Sequence, residues 1–356
     1  MYRTIIGVLM TACIGILCVS ATSGFQDVLD TPAVKSPLAE KCLLNGIVLA
    51  GKRLVSVGQY GNILYSDDKG KSWIQAAVPV SSDLVAVNFP TPQKGWAVGH
   101  DGIVMHSADG GATWIKQLDG RAAAQVMLKY YTEHPPRDLP GGAEAREQFM
   151  ADVKSFVTEG PDKPFLDVFF ENETSGFIVG AFNLIFHTAD GGKTWEPWFD
   201  RTENPGLLHM YSIRYIGEDI FIAGEQGLVL KLDRKASRFR KIKTPYPGTF
   251  FGITGKSGVL IAFGMRGNIV RSADKGASWN KIETGVQVGL TGATVTEDGR
   301  IILVSQGGDV LVSKDDCRGF NRVKVDIPFP AAAVAAADSD TVVLAGFGGL
   351  RVQKLK

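Results

Sequence analysis

The sequence is short of the residues that usually carry chemistry. It has five histidines and four cysteines in 356 residues. His100, His106, His134, His187 and His209 show no metal-ligand spacing, so no metal or other cofactor is expected. Cys13 and Cys18 lie in an N-terminal apolar run. That leaves Cys42 and Cys317, a pair an oxidising compartment permits but not a disulfide framework. A basic excess is also missing: 38 Lys+Arg stand against 37 Asp+Glu, a net charge of +1. Nucleic-acid binding normally leaves a basic stripe, so that class is excluded. After the N-terminus no apolar run is long enough for a second membrane span.

The chain opens MYRTIIGVLMTACIGILCVSATSGFQ. Arg3 precedes an apolar stretch from Ile5 to Val19, and Val19-Ser20-Ala21 and Ala21-Thr22-Ser23 offer small-residue cleavage sites. Residues 1–23 read as a Sec-type signal peptide, with an uncleaved anchor as the alternative. Leu17 is too large to precede a lipidated Cys18. The domain, residues 24–356, is therefore expected in the periplasm.

Glycine is plentiful, at 42 residues, and its placement is periodic. Gly-x-x-Gly turns occur as GQYG, GHDG, GEQG, GMRG and GFGG, with worn copies GAFN and SQGG. They begin at 58, 99, 180, 224, 264, 305 and 346, at intervals of 41, 81, 44, 40, 41 and 41. Asn183 can take the left-handed conformation in place of glycine. A period near 40–45 residues with short apolar strands marks a four-stranded propeller blade. The fold class is all-β, a seven-bladed propeller. LVAVNF, FLDVFF and AAAVAAA suit inner strands. The chain reaches Lys356 just after the third strand of blade seven, and residues 25–40 are expected to supply the outer strand and close the ring.

A second turn repeats between third and outer strands: YSDDKGKSW, HSADGGATW, HTADGGKTW and RSADKGASW. Asp68, Asp109, Asp190 and Asp274 are placed to accept turn N–H groups. Trp73, Trp114, Trp195 and Trp279 are placed to bury an indole at the blade edge. This is the Asp-box, or BNR repeat; SKDDCRGF and LDRKASRF are decayed copies.

Asp-boxes occur in sialidases, so a secreted glycoside hydrolase is the competing class. Its requirements are not met. No Arg-Ile-Pro occurs, and acids such as Asp101 and Glu225 lie on turns of different blades. Glycoside hydrolysis needs paired carboxylates about 5–9.5 Å apart. The Gly-x-x-Gly turns join strand to strand and do not open a helix, so they are not dinucleotide loops.

Residues 83–114 and 166–195 run through an apolar strand, a turn, a -VG- strand and an Asp-box in one order. In this the chain resembles the photosystem II stability/assembly factor-like propellers, a branch of the BNR-repeat proteins that also occurs in non-photosynthetic bacteria. It departs from their pattern in lacking a lipobox and in carrying an insertion. The resemblance implies a non-catalytic, monomeric binding or assembly factor. Its partner would be a membrane protein or transporter complex, and membrane association would run through the N-terminus or that partner.

The insertion, residues 119–164, breaks the β rhythm. Val126, Met127, Tyr130 and Tyr131 form one helical stripe, and Phe149, Met150, Val153, Phe156 and Val157 a second. Two amphipathic helices are expected, either packed on the propeller or offered for docking. Propeller topology puts the Gly-x-x-Gly turns and the insertion on one face and the Asp-boxes on the other. The candidate partner-binding residues are thus Tyr60, His100, Asp101, Phe182, Glu225, Met265, Arg266 and Phe347. Exposed aromatics and Met among polar groups suit a protein interface.

Overall fold

Seven antiparallel sheets stand around one axis, six of four strands and one of three, each meandering outward in chain order. The computed structural model describes residues 26–136, 139 and 141–355; the signal-peptide reading, residues 1–23, lies outside them. The inner strands are Leu44–Ala50, Leu84–Asn88, Phe165–Phe170, Met210–Ile216, Phe250–Lys256, Leu290–Val295 and Ala331–Asp338. Second strands such as Gly95–Gly99 and Gly176–Gly180 are buried at every position. Both of their faces are covered by neighbouring blades, which is why they read as continuous apolar runs. Each large aliphatic side chain buried there contributes about 1.5–3 kcal/mol.

The Asp-boxes fold as their residue types require. In blade two, Asp109 accepts from Ala112 N and Thr113 N, both at 3.0 Å, and from Thr113 Oγ1 at 2.6 Å. Ser107 Oγ accepts from Gly111 N at 2.8 Å, and Trp114 Nε1 donates to Gly111 O at 2.9 Å. The decayed copy of blade six keeps the frame: Ser313 Oγ accepts from Cys317 N at 3.0 Å. Cys317 takes the glycine position with φ +60°. Its thiol is buried and pushed up to about 12 by desolvation. Cys42 and Cys317 are both free thiols.

The ring does not close as expected. Blade seven has three strands, the last being Gly349–Lys354, and residues 26–38 do not pair with it. They run along blades one and two instead. Ala33 N donates to Val78 O and Ser81 N to Val28 O, while Leu29 is buried in the cluster that holds Trp114. Arg121 grips Asp30 through its two terminal guanidinium nitrogens, Nη1 and Nη2, at 2.9 and 3.0 Å. Arg121 and Lys116 together hold the Asp30 carboxyl down at about 2. Pro32 and Pro37 lack a backbone N–H, which an outer strand could spare only at positions facing away from the sheet. Closure rests on side chains: Leu44, Ile47, Leu54 and Leu64 of blade one pack on Ala335, Val343 and Ala345 of blade seven.

The insertion forms α1 (Gly120–Glu133) and α2 (Gly142–Thr158). Asp119 caps α1 by accepting from Ala122 N at 3.1 Å. The two apolar stripes face inward. Met127, Tyr131, Phe149, Val153 and Phe156 join Leu184, Trp195 and Phe199 of blade three in one buried cluster. Tyr131 Oη donates to Asp200 Oδ1 at 2.8 Å and Tyr130 Oη to Glu196 Oε1 at 2.8 Å. Of the two expectations for these helices, packing on the propeller is the one their apolar faces fulfil. Among the described residues no helix is long and apolar enough to cross a membrane.

Candidate functional site: the turn face and axial mouth

The Gly-x-x-Gly turns share one face with the links that lead from each outer strand to the next blade. At Gly58 a side chain would press on the Leu43 carbonyl. At Gly61, where φ is +68°, it would press on the Val80 carbonyl of such a link. The signature therefore records close backbone approach at both ends of the turn. Asn183 stands at the second glycine's place with φ +64°, as anticipated, and its amide donates to Phe199 O at 2.9 Å.

In five blades the residue before that second glycine or Asn183 is itself left-handed: Tyr60 (φ 59°), Asp101 (56°), Phe182 (52°), Gln226 (50°) and Arg266 (55°). For a side chain this conformation costs about 1 kcal/mol, and it aims the residue outward from the turn. Tyr60 is 63% exposed, Phe182 45% and Phe347 79%; His100, Met265 and Arg266 are exposed as well. The acids behave differently. Ser82 Oγ donates to Asp101 Oδ2 at 2.5 Å, and Glu225 Oε2 accepts from His209 N at 2.9 Å. Asp101 and Glu225 thus fix their own turns and links.

At the centre of this face lies an axial mouth that the sequence pattern did not reveal. Every inner strand has a register shift that leaves its second residue unpaired: Asn45, Val85, Leu166, Tyr211, Phe251, Thr291 and Ala332. Such a bulge re-aims one side chain, and all seven line one axial chamber of about 230 Å³. Two of them stitch adjacent blades, since Asn45 Nδ2 donates to Leu84 O at 2.9 Å and Thr291 Oγ1 to Ala331 O at 2.6 Å.

An aromatic row joins the rim to this mouth. Phe182 lies 4.6 Å from the His209 ring, His209 6.2 Å from Tyr211, and Tyr211 5.9 Å from Phe251. Lys163 Nζ sits 5.8 Å from the Phe182 ring. His209, Tyr211 and Phe251 were absent from the sequence-derived residues; the one available signal was an aromatic at the second position of two inner strands. Burial and the nearby Glu225 raise the Tyr211 phenol, so it stays a neutral hydrogen-bonding group at the mouth.

Below the mouth the chamber is crossed by an ion pair between Asp167 and Arg214, on the inner strands of blades three and four. Asp167 also accepts from Ile213 N at 2.8 Å and Val168 N at 3.0 Å. Complete burial raises its carboxyl above the usual range, against the opposing pull of Arg214 and the two amides.

The sequence profile described as Photosynthesis system II assembly factor YCF48 matches residues 65–131 and 152–327, more than half of the chain. The chain is 28% identical over 148 residues to a Photosystem II assembly lipoprotein Ycf48 of Synechococcus sp. (strain CC9902), covering 40% of this chain and 44% of that protein. It thus spans less than half the length of that relative. It is 21% identical over 320 residues to the chloroplastic Photosystem II stability/assembly factor HCF136 of Arabidopsis thaliana, covering 80% and 71% of the two chains. Among solved structures it is similar to YCF48 bound to D1 peptide, with a TM-score of 0.62 at 14% identity over 89% of this chain and 92% of that one. YCF48 from Cyanidioschyzon merolae aligns with the same TM-score and identity over 88% and 96%. At that identity the structural likeness establishes the propeller fold, while the profile match establishes the lineage: the chain belongs to the Photosynthesis system II assembly factor YCF48 family.

Proposed function

We propose that this protein is an exported, non-enzymatic propeller that holds a segment of a membrane protein during its assembly, on the face that carries the Gly-x-x-Gly turns. The observation that carries the reading is the aromatic row from Phe182 through His209 and Tyr211 to Phe251. It leads from an exposed rim into the axial mouth, where an apolar side chain would lose most of its water. Exposed Tyr60, Met265, Arg266 and Phe347 surround it, an aromatic, Met and Arg set of the kind that anchors interfaces. The relative solved with a D1 peptide supports a protein ligand, and relatives named as lipoproteins support export. The periplasm is the proposed compartment, residues 1–23 the proposed signal peptide, and the active state a monomer.

Glycoside hydrolysis has little to work with on this face, because Asp101 and Glu225 are each committed to holding a turn. The test is crosslinked capture of the partner from membranes by the whole protein. Replacing Tyr60, Phe182, Arg266 and Phe347 together by alanine should abolish capture while leaving thermal unfolding unchanged. Undiminished capture by that variant would refute the face assignment.

A further inference from the structure

Among the described residues no strand pairs with the outer edge of blade seven, and its surroundings specify what fits there. Leu355 N donates to Asp340 O, and the register runs unbroken from Thr341↔Lys354 to Gly346↔Gly349. In an antiparallel ladder alternate residues face the partner strand. The backbone groups of Val352 and Lys354 therefore point away from the sheet; Lys354 O accepts from Gln353 Nε2 at 2.7 Å, while the Val352 N–H and C=O have no hydrogen-bond partner among the described residues. Edges of this kind are templates for an added strand.

The other blades show how such a slot is filled. In four blades the outer strand, or the residues just after it, places an apolar side chain in the cluster with the ring that closes the next Asp-box. Ala76 and Val78 lie with Trp114, Leu118 with Trp195, Ile242 with Trp279 and Ile282 with Phe320. Beyond the outer strand of blade one, Ala77 also bridges to blade two, its N donating to Ala112 O and its O accepting from Trp114 N. Trp73 and Lys71 are the matching residues of blade one. Trp73 is only partly buried, beside Val343 and Leu350, and its own box glycine, Gly70, faces Val352. Among the described residues blade seven supplies no outer strand to cover this ring or to meet Trp73 N and Lys71 O.

The rim of the slot is basic. Lys71 and Lys354 are exposed, while Arg351, next to Val352 in the strand and so on its other face, donates to Ile327 O at 2.8 Å and lies over the Phe329 ring at 4.6 Å. Of the nearby acids, Asp67 is engaged by Arg53 and Asp338 by Lys69, while the exposed Glu40 lies against Gly349 at the start of the edge. We propose that the edge formed by Gly349–Lys354 and the Asp-box of Trp73 is a second binding site, which takes an extended segment of a partner protein as the fourth strand of blade seven, with an aliphatic side chain on Trp73 and acidic side chains at the alternate positions, on the opposite face that carries Arg351. This site stands apart from the turn face and does not rest on the reading of that face.

The test uses a fluorescein-labelled peptide of alternating valine and glutamate, capped with threonine, titrated by fluorescence anisotropy into the whole protein. Saturable binding is expected. Methylating alternate backbone nitrogens of the peptide, or replacing glutamate by lysine, should weaken binding about tenfold or more, the loss of one to two strong contacts. Val352→Pro, which removes one outward N–H, should weaken it equally, and Val352→Thr should not. The quadruple alanine variant of the turn face should bind the peptide normally. No saturable binding, or binding indifferent to backbone methylation, overturns the proposal, and the methylated peptide decides even if Val352→Pro fails to fold. Sedimentation showing that the edge instead pairs two copies of the chain overturns it too.

Discussion

The ring of Phe182 meets the His209 imidazole edge-on, with centroids 4.6 Å apart and planes at 73°. Phe182 holds this position from a left-handed backbone, φ 52°, a conformation glycine adopts without penalty. Phe182→Gly is therefore expected to leave stability unchanged or raise it by up to about 1 kcal/mol, while partner affinity falls about tenfold. Urea unfolding and a partner titration on the same variant separate the two effects. Loss of both together would assign Phe182 a structural role.

Asp167 and Arg214 make a second prediction with a definite sign. The folded-state carboxyl is raised above its ordinary 3.8, so its contribution is fully present below pH 3.8 and is lost as pH rises through the folded value. Removing the guanidinium must deepen that loss. Arg214→Ala is expected to destabilise by about 1–3 kcal/mol at pH 7, because it leaves the buried Asp167 carboxylate without its half-exposed cation, and by clearly less at pH 4. Denaturant midpoints at the two pH values check it. Equal losses would show that Arg214 acts through packing alone.

His106 and His187 occupy matching positions in blades two and three, against Trp96 at 4.7 Å and Phe177 at 4.6 Å. Burial lowers both imidazoles below 6.5. The stability of the neutral rings is complete above pH 6.5 and is lost as pH falls through the lower folded values. Melting temperature should drop between pH 7 and pH 5, and the double change to phenylalanine should flatten that drop. A wild-type melting temperature unchanged across this range would contradict the assignment.

In the Asp-box of blade two, Asp109 satisfies two backbone N–H groups and one hydroxyl, much as a helix cap does. Asp109→Ala should cost about 1 kcal/mol and lower the melting temperature by a few degrees. Trp114, 4% exposed, should cost about 3–5 kcal/mol on change to alanine. Neither change should alter partner capture, since these turns lie on the opposite face.

The repeat made most of this fold readable, because each turn needs particular residues. Gly58 and Gly61 press against carbonyls, and Asp109 and Trp114 fill roles few other residues can, so blade count and faces followed from spacing. Ring closure was misread because residues 26–38 carry no repeat. Their path was decided by Leu29 finding the Trp114 cluster and by Arg121 gripping Asp30, neither of which leaves a period in the sequence. The axial mouth was missed for a different reason. Tyr211 and Phe251 sit in apolar strands, and the bulge that turns them toward the axis depends on backbone register, which composition does not encode.

Whether the membrane partner is captured on the face opposite the Asp-boxes is decided by measuring captured partner with two folded variants side by side. One carries alanine at Tyr60, Phe182, Arg266 and Phe347; the other carries alanine at Lys52, Lys69 and Lys275 on the Asp-box face. Capture should be abolished in the first and unchanged in the second. Capture retained by the first and lost by the second would contradict the face assignment.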